Sequence, residues 1–437
     1  MVTPGSTITP PFTYAPRSQE AYDEQRTAIA EQILVALDAP DIITIQEAEK
    51  QDVCVPVYDE QAPSESHLDC DLSEPDEGET MANTDRGSGA PDTVEELALE
   101  IYIQSEGAIR YEATGDVVNG RDVRGITQAF LHRTDRVELV PTDELHGDPV
   151  LGAGEAIDIP YPSADERTPV APWVEETANP KAVNAELPEW AKDDAAELSE
   201  SIDGGRFPQT EYAFSRAAQV GKFRIFPDGV EAGGPFVERY VTSNHMSAVP
   251  NDRTVQRTEQ ARLNAAIADA VRDHGGQVLV TGDFNVFPRP DDPFPSFLTD
   301  PDREASDQLA PMYERGFTNL HDVIIEEAPA NTYSFIFQGI SQILDHIFVD
   351  DTTLDELVVA RFIHVNTDFP AGSPGFEPGR GASDHDPLYA RFLFEPEEQP
   401  GPPPGAGPPC DRLPDESNAR PCRPDDLPPG LARRRVA

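Results

Sequence analysis

The chain has 437 residues, of which 81 are Asp or Glu and 33 are Lys or Arg, for a formal net charge of -48. Such a field repels polyanions and anionic membranes as a whole, so an anionic substrate must be captured by local groups. No apolar run reaches the roughly 18 residues of a membrane-spanning helix, and 44 prolines beside 30 glycines predict a core interrupted by long loops.

Residues 1–17 are rich in Pro, Thr and Ser and read as irregular, with no export signal of a charged segment followed by an apolar one. A helix then follows, capped by Ser18, with Tyr22, Ile29, Ile33 and Leu37 on one face. Beyond Ala39-Pro40, the β-branched run Ile42-Ile43-Thr44-Ile45 predicts a buried strand with Gln46-Glu47 at its tip. Residues 51–92 read as an exposed insertion, 125–133 as a strand, and 141–215 as a second Pro- and acid-rich excursion. A strand over 236–245, a helix over 253–274 closed by Gly275-Gly276, and the strand Gln277-Val278-Leu279-Val280-Thr281 form a βαβ-like unit. That unit delivers Gly282-Asp283-Phe284-Asn285 at a strand end. Further strands are expected at 344–349 and 387–394, and the Pro-rich stretch 395–437 is expected to be a disordered tail, leaving 18–394 as the domain.

The cysteines fall into two local pairs, Cys54 with Cys70 and Cys410 with Cys422, spaced too widely for a C-x-x-C zinc site. They suit disulfides of an oxidising compartment, although four free thiols would give the same pattern.

Each polar strand tip has a bland reading on its own: a surface acid, an Asx turn, a solvated ion pair. Together they differ, because Glu47, His245, Asp283 and Asn285 end predicted strands while Asp384-His385 precedes one. Strand ends and neighbouring antiparallel strand starts share a rim, so all six can meet in one cleft. The residue types suit phosphoryl chemistry. Mg²⁺ takes hard oxygen ligands, which Glu47 and Asp384 supply. Asp283 is the natural group to deprotonate a water, Asn285 a hydrogen-bond donor, and His245 and His385 proton donors or phosphate clamps.

In order, Gln46-Glu47, Asn244-His245-Met246-Ser247, Gly282-Asp283-Phe284-Asn285, Leu344-Asp345-His346 and Ser383-Asp384-His385-Asp386-Pro387 resemble the motifs of the endonuclease/exonuclease/phosphatase superfamily. The wording is most similar to bacterial extracellular nucleases. The resemblance implies an α/β (α+β) fold, a four-layer α/β/β/α sandwich with two mixed, largely antiparallel sheets. It implies Glu47 as metal ligand with Asp384 beside it, Asp283 as water activator, Asn285 on the transition-state phosphate, and His245 at phosphate or leaving group. His385 would act at the scissile phosphate, oriented by Asp345, with Asn244 as a further substrate contact. Asp386 has a structural turn role. Arg133 and Arg257 are candidate phosphate contacts whose default is the surface.

The family opens on a strand bearing an Asn beside the metal-binding Glu, whereas residues 1–17 resemble the linker after such a strand. The expectation is either a translation start further upstream, with an export signal there too, or a protein that works without that strand. The implied activity is a secreted, Mg²⁺-dependent nuclease, with Mn²⁺ or Ca²⁺ as substitute ions, nucleic acid as substrate and activity highest at raised salt. A lipid or small-molecule phosphodiesterase or phosphatase of the same fold is the alternative enzyme, and a noncatalytic acidic binding protein the alternative of another class.

Overall fold

The computed structural model describes residues 18–49, 54–70, 93–114, 126–140, 157–160, 167–170, 218–248, 250, 254–289, 306–369 and 379–394. The expected irregular start, the Pro-rich tail and most of both insertions lie outside these. The remainder belongs to one unit, Met1–Glu395.

Among the described residues, seventeen strands follow in chain order: β1 Ile42–Glu49, β2 Cys54–Val57, β3 His67–Cys70, β4 Tyr111–Thr114, β5 Ile126–Arg133, β6 Val137–Leu139, β7 Ile157–Pro160, β8 Arg167–Val170, β9 Gln219–Ile225, β10 Val237–His245, β11 Val278–Asp283, β12 Thr318–Asn319, β13 Phe335–Phe337, β14 Ile340–Gln342, β15 Asp345–Val349, β16 Leu357–Phe362 and β17 Leu388–Phe392. The helices are α1 Gln19–Glu31, α2 Thr93–Gln104, α3 Thr254–Asp273, α4 Ala310–Glu314, α5 Leu320–Glu327 and α6 Asp351–Asp355. Ser18 caps α1, its side chain accepting from the Ala21 amide. A π-helical turn, Gln32–Ala36, extends that helix toward β1.

The larger sheet has the order β12-β15-β11-β10-β9-β6. Only β10 and β11 run parallel, and α3 is their crossover; every other described pairing in the molecule is antiparallel. The smaller sheet, β1-β5-β4, is separate in its hydrogen bonding from the pair β16-β17, and Ile43 and Ile45 of β1 and Tyr389 of β17 pack on the same hydrophobic cluster. Packing follows from strand alternation: in β5, Ala129 and Leu131 enter the cluster formed by α1 and α2, while Phe130 between them meets Phe223, Val237 and Val241 from the other sheet. Residues that point to opposite faces and are apolar on both mark a strand covered twice. On the far side of the larger sheet, Leu263, Ile267 and Val271 of α3 cover Val278, Val280 and Phe348. The result is the α+β class expected, with one mixed sheet and, among the described residues, a wholly antiparallel smaller one.

Two expectations need correction. The first insertion contains a regular hairpin, β2 with β3, in which Cys54 faces Cys70 across the ladder. Its strands are only four residues long and Pro56 interrupts the first, which weakens the strand signal; Tyr58 anchors it against Tyr102 of α2, ring centroids 4.7 Å apart. Arg257 is no surface residue: it is fully buried in α3, and its guanidinium donates to the carbonyls of Ser247, Ala248 and Pro250 and to Gln308 Oε1. A buried guanidinium needs its donors satisfied, and these carbonyls belong to the loop that follows β10.

Candidate active site

The register of the larger sheet builds the site. His245, Asp283 and Asp345 are direct neighbours across β10, β11 and β15, so their side chains emerge in one row from one face. Close approach of β10 and β11 depends on Gly282: a Cβ there would lie 2.2 Å from the Asn244 carbonyl oxygen, and its φ is +136°. Asn285, two residues on, adopts φ +50°. This turn lets its backbone amide donate to Asp283 Oδ1 at 2.8 Å and its side chain to Asp283 Oδ2 at 2.9 Å. The Asp283 carboxylate is thereby fixed by its own loop.

Glu47 reaches the same rim from the opposing sheet, by a route that sequence did not reveal. It lies inside β1 rather than at its tip, in a bulge where Gln46 and Glu47 together oppose Gln128, and its φ is +57°. Regular alternation would put Glu47 on the helix-facing side with Ile43 and Ile45; the bulge re-aims it. Gln46 donates to Ser243 Oγ at 3.2 Å, tying the bulge to β10. Glu47 Oε1 then lies 3.6 Å from His245 Nε2, which is 3.7 Å from Asp283 Oδ2.

The loop before β17 closes the site. His385 Nδ1 is 2.7 Å from Asp345 Oδ2, and the imidazole packs at 4.8 Å on Phe335. Asp386 holds the loop: its Oδ1 accepts from the amides of Val365, Asn366 and Thr367, and its Oδ2 bonds His364 and the Thr367 hydroxyl. Asn366 donates to the His385 carbonyl and bonds Gln32 of the π-helical turn. Ser334 Oγ accepts from the amides of Leu344 and Asp345. Phe335, Asn366 and Ser334 have no counterpart in the sequence reading; nothing in the chain pairs Gln32 with a residue so distant, and Ser334 and Phe335 resemble any loop residues.

Electrostatics define the chemistry. Burial pushes the Asp283 carboxyl up to about 7; His385 opposes this, whereas Asp345 and Glu47 add to it. Asp384 is likewise raised by burial, against the pull of His385, with further pushes from Glu47 and Asp345. Burial disfavours charge on His385, but Asp345, Asp283 and Asp384 outweigh it and hold the imidazole cationic well above its usual range. With Nδ1 committed to Asp345, Nε2 is left to donate.

A divalent cation fits this donor set. Carboxylates crowded enough to raise each other's affinity for protons are relieved by a hard cation that accepts oxygen ligands. The half-exposed Glu47 and the more buried Asp384 are the groups that would hold it. Ligand atoms of Asp283, Asp345 and His385 also lie within 4.8 Å of one another. His385 is nonetheless an improper ligand there, because its Nδ1 is bonded to Asp345 and its ring is cationic.

Two sequence candidates stand elsewhere. Asn244 is buried and donates to Thr242 Oγ1 and the Thr281 carbonyl, both at 3.0 Å, so it braces β10 against β11. Arg133 occupies the other end of the β1–β5 ladder from Glu47, where it grips Asp135 through two bonds of 3.0 and 2.6 Å. Sequence placed it on a strand but could not say which end of that strand lies by the site.

No protein-family model and no curated protein matches the sequence. Among solved structures the chain is similar to humanized Danio rerio TDP2, with 12% identity over 86% of this chain and 94% of that one and a TM-score of 0.39. It is similar to an AP endonuclease from Archaeoglobus fulgidus at 12% identity, 85% and 95% coverage and a TM-score of 0.38. An endonuclease/exonuclease/phosphatase family protein from Bacteroides thetaiotaomicron gives 14% identity, 84% and 88% coverage and a TM-score of 0.36. These likenesses are loose, and the case for the chemistry lies in the side chains.

Proposed function

We propose that this protein is a divalent-metal-dependent phosphoester hydrolase of the endonuclease/exonuclease/phosphatase kind, acting on nucleic acid outside the cell. The observation that supports it is the convergence of Glu47, His245, Asp283 and the Asp345–His385 pair on one rim from both sheets. Asp283, immobilised by Asn285, takes the proton from an attacking water. His385, oriented by Asp345, presents Nε2 to a nonbridging phosphate oxygen and brings positive charge where the transition state gathers negative charge. His245 lies between Glu47 and Asp283, and its role in this reading is to contact the phosphate or the leaving oxygen. A bound divalent cation supplies Lewis-acid polarisation of the phosphate, and Glu47 and Asp384 are the residues to hold it. The extracellular setting draws on the net charge of -48, whose self-repulsion salt screens.

The test is hydrolysis of plasmid DNA, RNA, sphingomyelin and inositol phosphates, with Mg²⁺ or with EDTA, by the native chain and by Asp283→Asn. The expected outcome is Mg²⁺-dependent cleavage of DNA or RNA, lowered by roughly 10²- to 10⁴-fold in the variant. Preference for sphingomyelin or inositol phosphates would move the substrate to lipids or small phosphoesters. Equal cleavage by both proteins would defeat the reading altogether.

A further inference from the structure

His346 follows Asp345 in the motif Leu344-Asp345-His346, yet it takes no part in the rim. Alternation along β15 sends the two side chains to opposite faces of the sheet. Asp345 stands in the row with His245 and Asp283. His346 has no exposed surface and packs on the other face against Phe284 and Phe348, ring centroids 5.6 and 6.2 Å away. An apolar side chain could fill that space, whereas a buried imidazole needs a partner for each nitrogen. Nε2 lies 2.8 Å from the Val286 carbonyl oxygen, which can only accept, so Nε2 carries the proton. Nδ1 lies 3.0 Å from Asn319 Nδ2 and accepts from it. The Asn319 amide is itself fixed, because its Oδ1 caps α5 by accepting from the His321 amide at 3.1 Å. Burial acts the same way, pushing the imidazole down to about 4 and keeping the ring neutral. A helix cap thus sets one tautomer, and that tautomer anchors one main-chain carbonyl.

That carbonyl closes the turn on which the Asp283 carboxylate depends. Asn285 has φ +50°, a region that residues other than glycine enter only where their surroundings hold them. On one side of Asn285 the Phe284 amide donates to the Leu344 carbonyl at 2.9 Å. On the other side His346 donates to the Val286 carbonyl. Between these two anchors the amide and side chain of Asn285 both bond the Asp283 carboxylate. We propose that His346 is a positioning residue for hydrolysis: through the Val286 carbonyl it holds Asn285 in its left-handed turn, and so keeps the Asp283 carboxylate aimed at the attacking water. Being fully buried, it acts without touching the substrate. The role in hydrolysis rests on the reading of Asp283 as the base; the hold on the turn does not.

The test compares His346→Leu and His346→Gln with the native sequence, each as the full chain. Leucine keeps the apolar packing and loses both bonds, whereas the terminal amide of glutamine again offers one donor and one acceptor. Hydrolysis is measured with Mg²⁺ on plasmid DNA or RNA, whichever the native chain cleaves faster, and rates are taken per folded molecule. The leucine variant is expected to lose roughly 10- to 100-fold in kcat with KM held within about twofold, and glutamine to recover most of the loss. Residue-resolved amide hydrogen exchange is read on the same proteins without substrate. In the leucine variant the Asn285 amide should exchange faster by roughly tenfold or more, while the Phe284 amide stays protected. Native kcat per folded molecule in the leucine variant, equal losses in both variants, or a loss confined to KM would overturn the proposal. A native chain that hydrolyses nothing defeats the hydrolase reading and the role within it. Unchanged exchange at Asn285 defeats the positioning, whatever the activity.

Discussion

Gly282 shows how one residue without a side chain positions several with one. It sits opposite Asn244 on the adjoining parallel strand, and that contact leaves no room for a Cβ. Gly282→Ala must separate β10 from β11 just where His245 and Asp283 stand side by side, in a backbone conformation that L residues rarely adopt. The expected cost is at least about 2 kcal/mol, read as a lowered denaturation midpoint, with hydrolysis falling further than the folded fraction does. A variant as stable and active as the native chain would contradict this geometry. The motif Gly282-Asp283-Phe284-Asn285 is legible in the sequence because the bonds that fix the Asp283 carboxylate come from Asn285, two residues on. Glu47 is only half legible: the sequence identifies the acid, but not the bulge that turns it toward His245, since a bulge is a property of two strands and not of one. Arg133, bonded to Asp135, and Asn244, bonded to Thr242 and Thr281, stand apart from the rim for a related reason. A strand's composition does not reveal which of its ends reaches the site, or which face a buried amide serves.

At the scale of elements, regular structure was read most faithfully where apolar residues recur. The helix expected over 253–274 is observed as Thr254–Asp273 and the strand over 236–245 as Val237–His245. The β2–β3 hairpin is not legible because its strands are four residues long, too short for a pattern, and Pro56 sits inside the first. Within β5, an element buried on both faces, His132 is only 3% exposed and burial depresses its imidazole to about 4. An unfolded chain takes up that proton near 6.5, so between about 6.5 and 4 the unfolded state binds more protons and stability falls as pH falls. Below about 4 both states are protonated and the loss ceases. At about 1.4 kcal/mol per pH unit, the contribution is roughly 3 kcal/mol over that window. His132→Phe, which keeps a ring against Phe223, should flatten the acid limb of a stability–pH curve by this amount. A limb of unchanged slope would place the acid sensitivity elsewhere.

For the whole molecule, net charge and active site pull in opposite directions. A chain at -48 gains solubility and loses attraction for any polyanion, and nucleic-acid binding ordinarily draws on Lys and Arg at phosphates. The site answers with concentrated charge: one imidazolium held by Asp345, and carboxylates whose crowding favours a divalent ion. Nothing in the overall composition foretold this, yet the ordered motifs did, because they mark the rim where both sheets end. The most direct measurement is a Mg²⁺ titration of phosphodiester hydrolysis for the native chain and Glu47→Gln at matched ionic strength, with Mg²⁺-induced thermal stabilisation as a second readout. The account predicts no activity in EDTA, and for the variant a half-saturating Mg²⁺ concentration raised by roughly tenfold or more with smaller stabilisation at any given concentration. Undiminished hydrolysis in EDTA, or identical titrations of the two proteins, would contradict it.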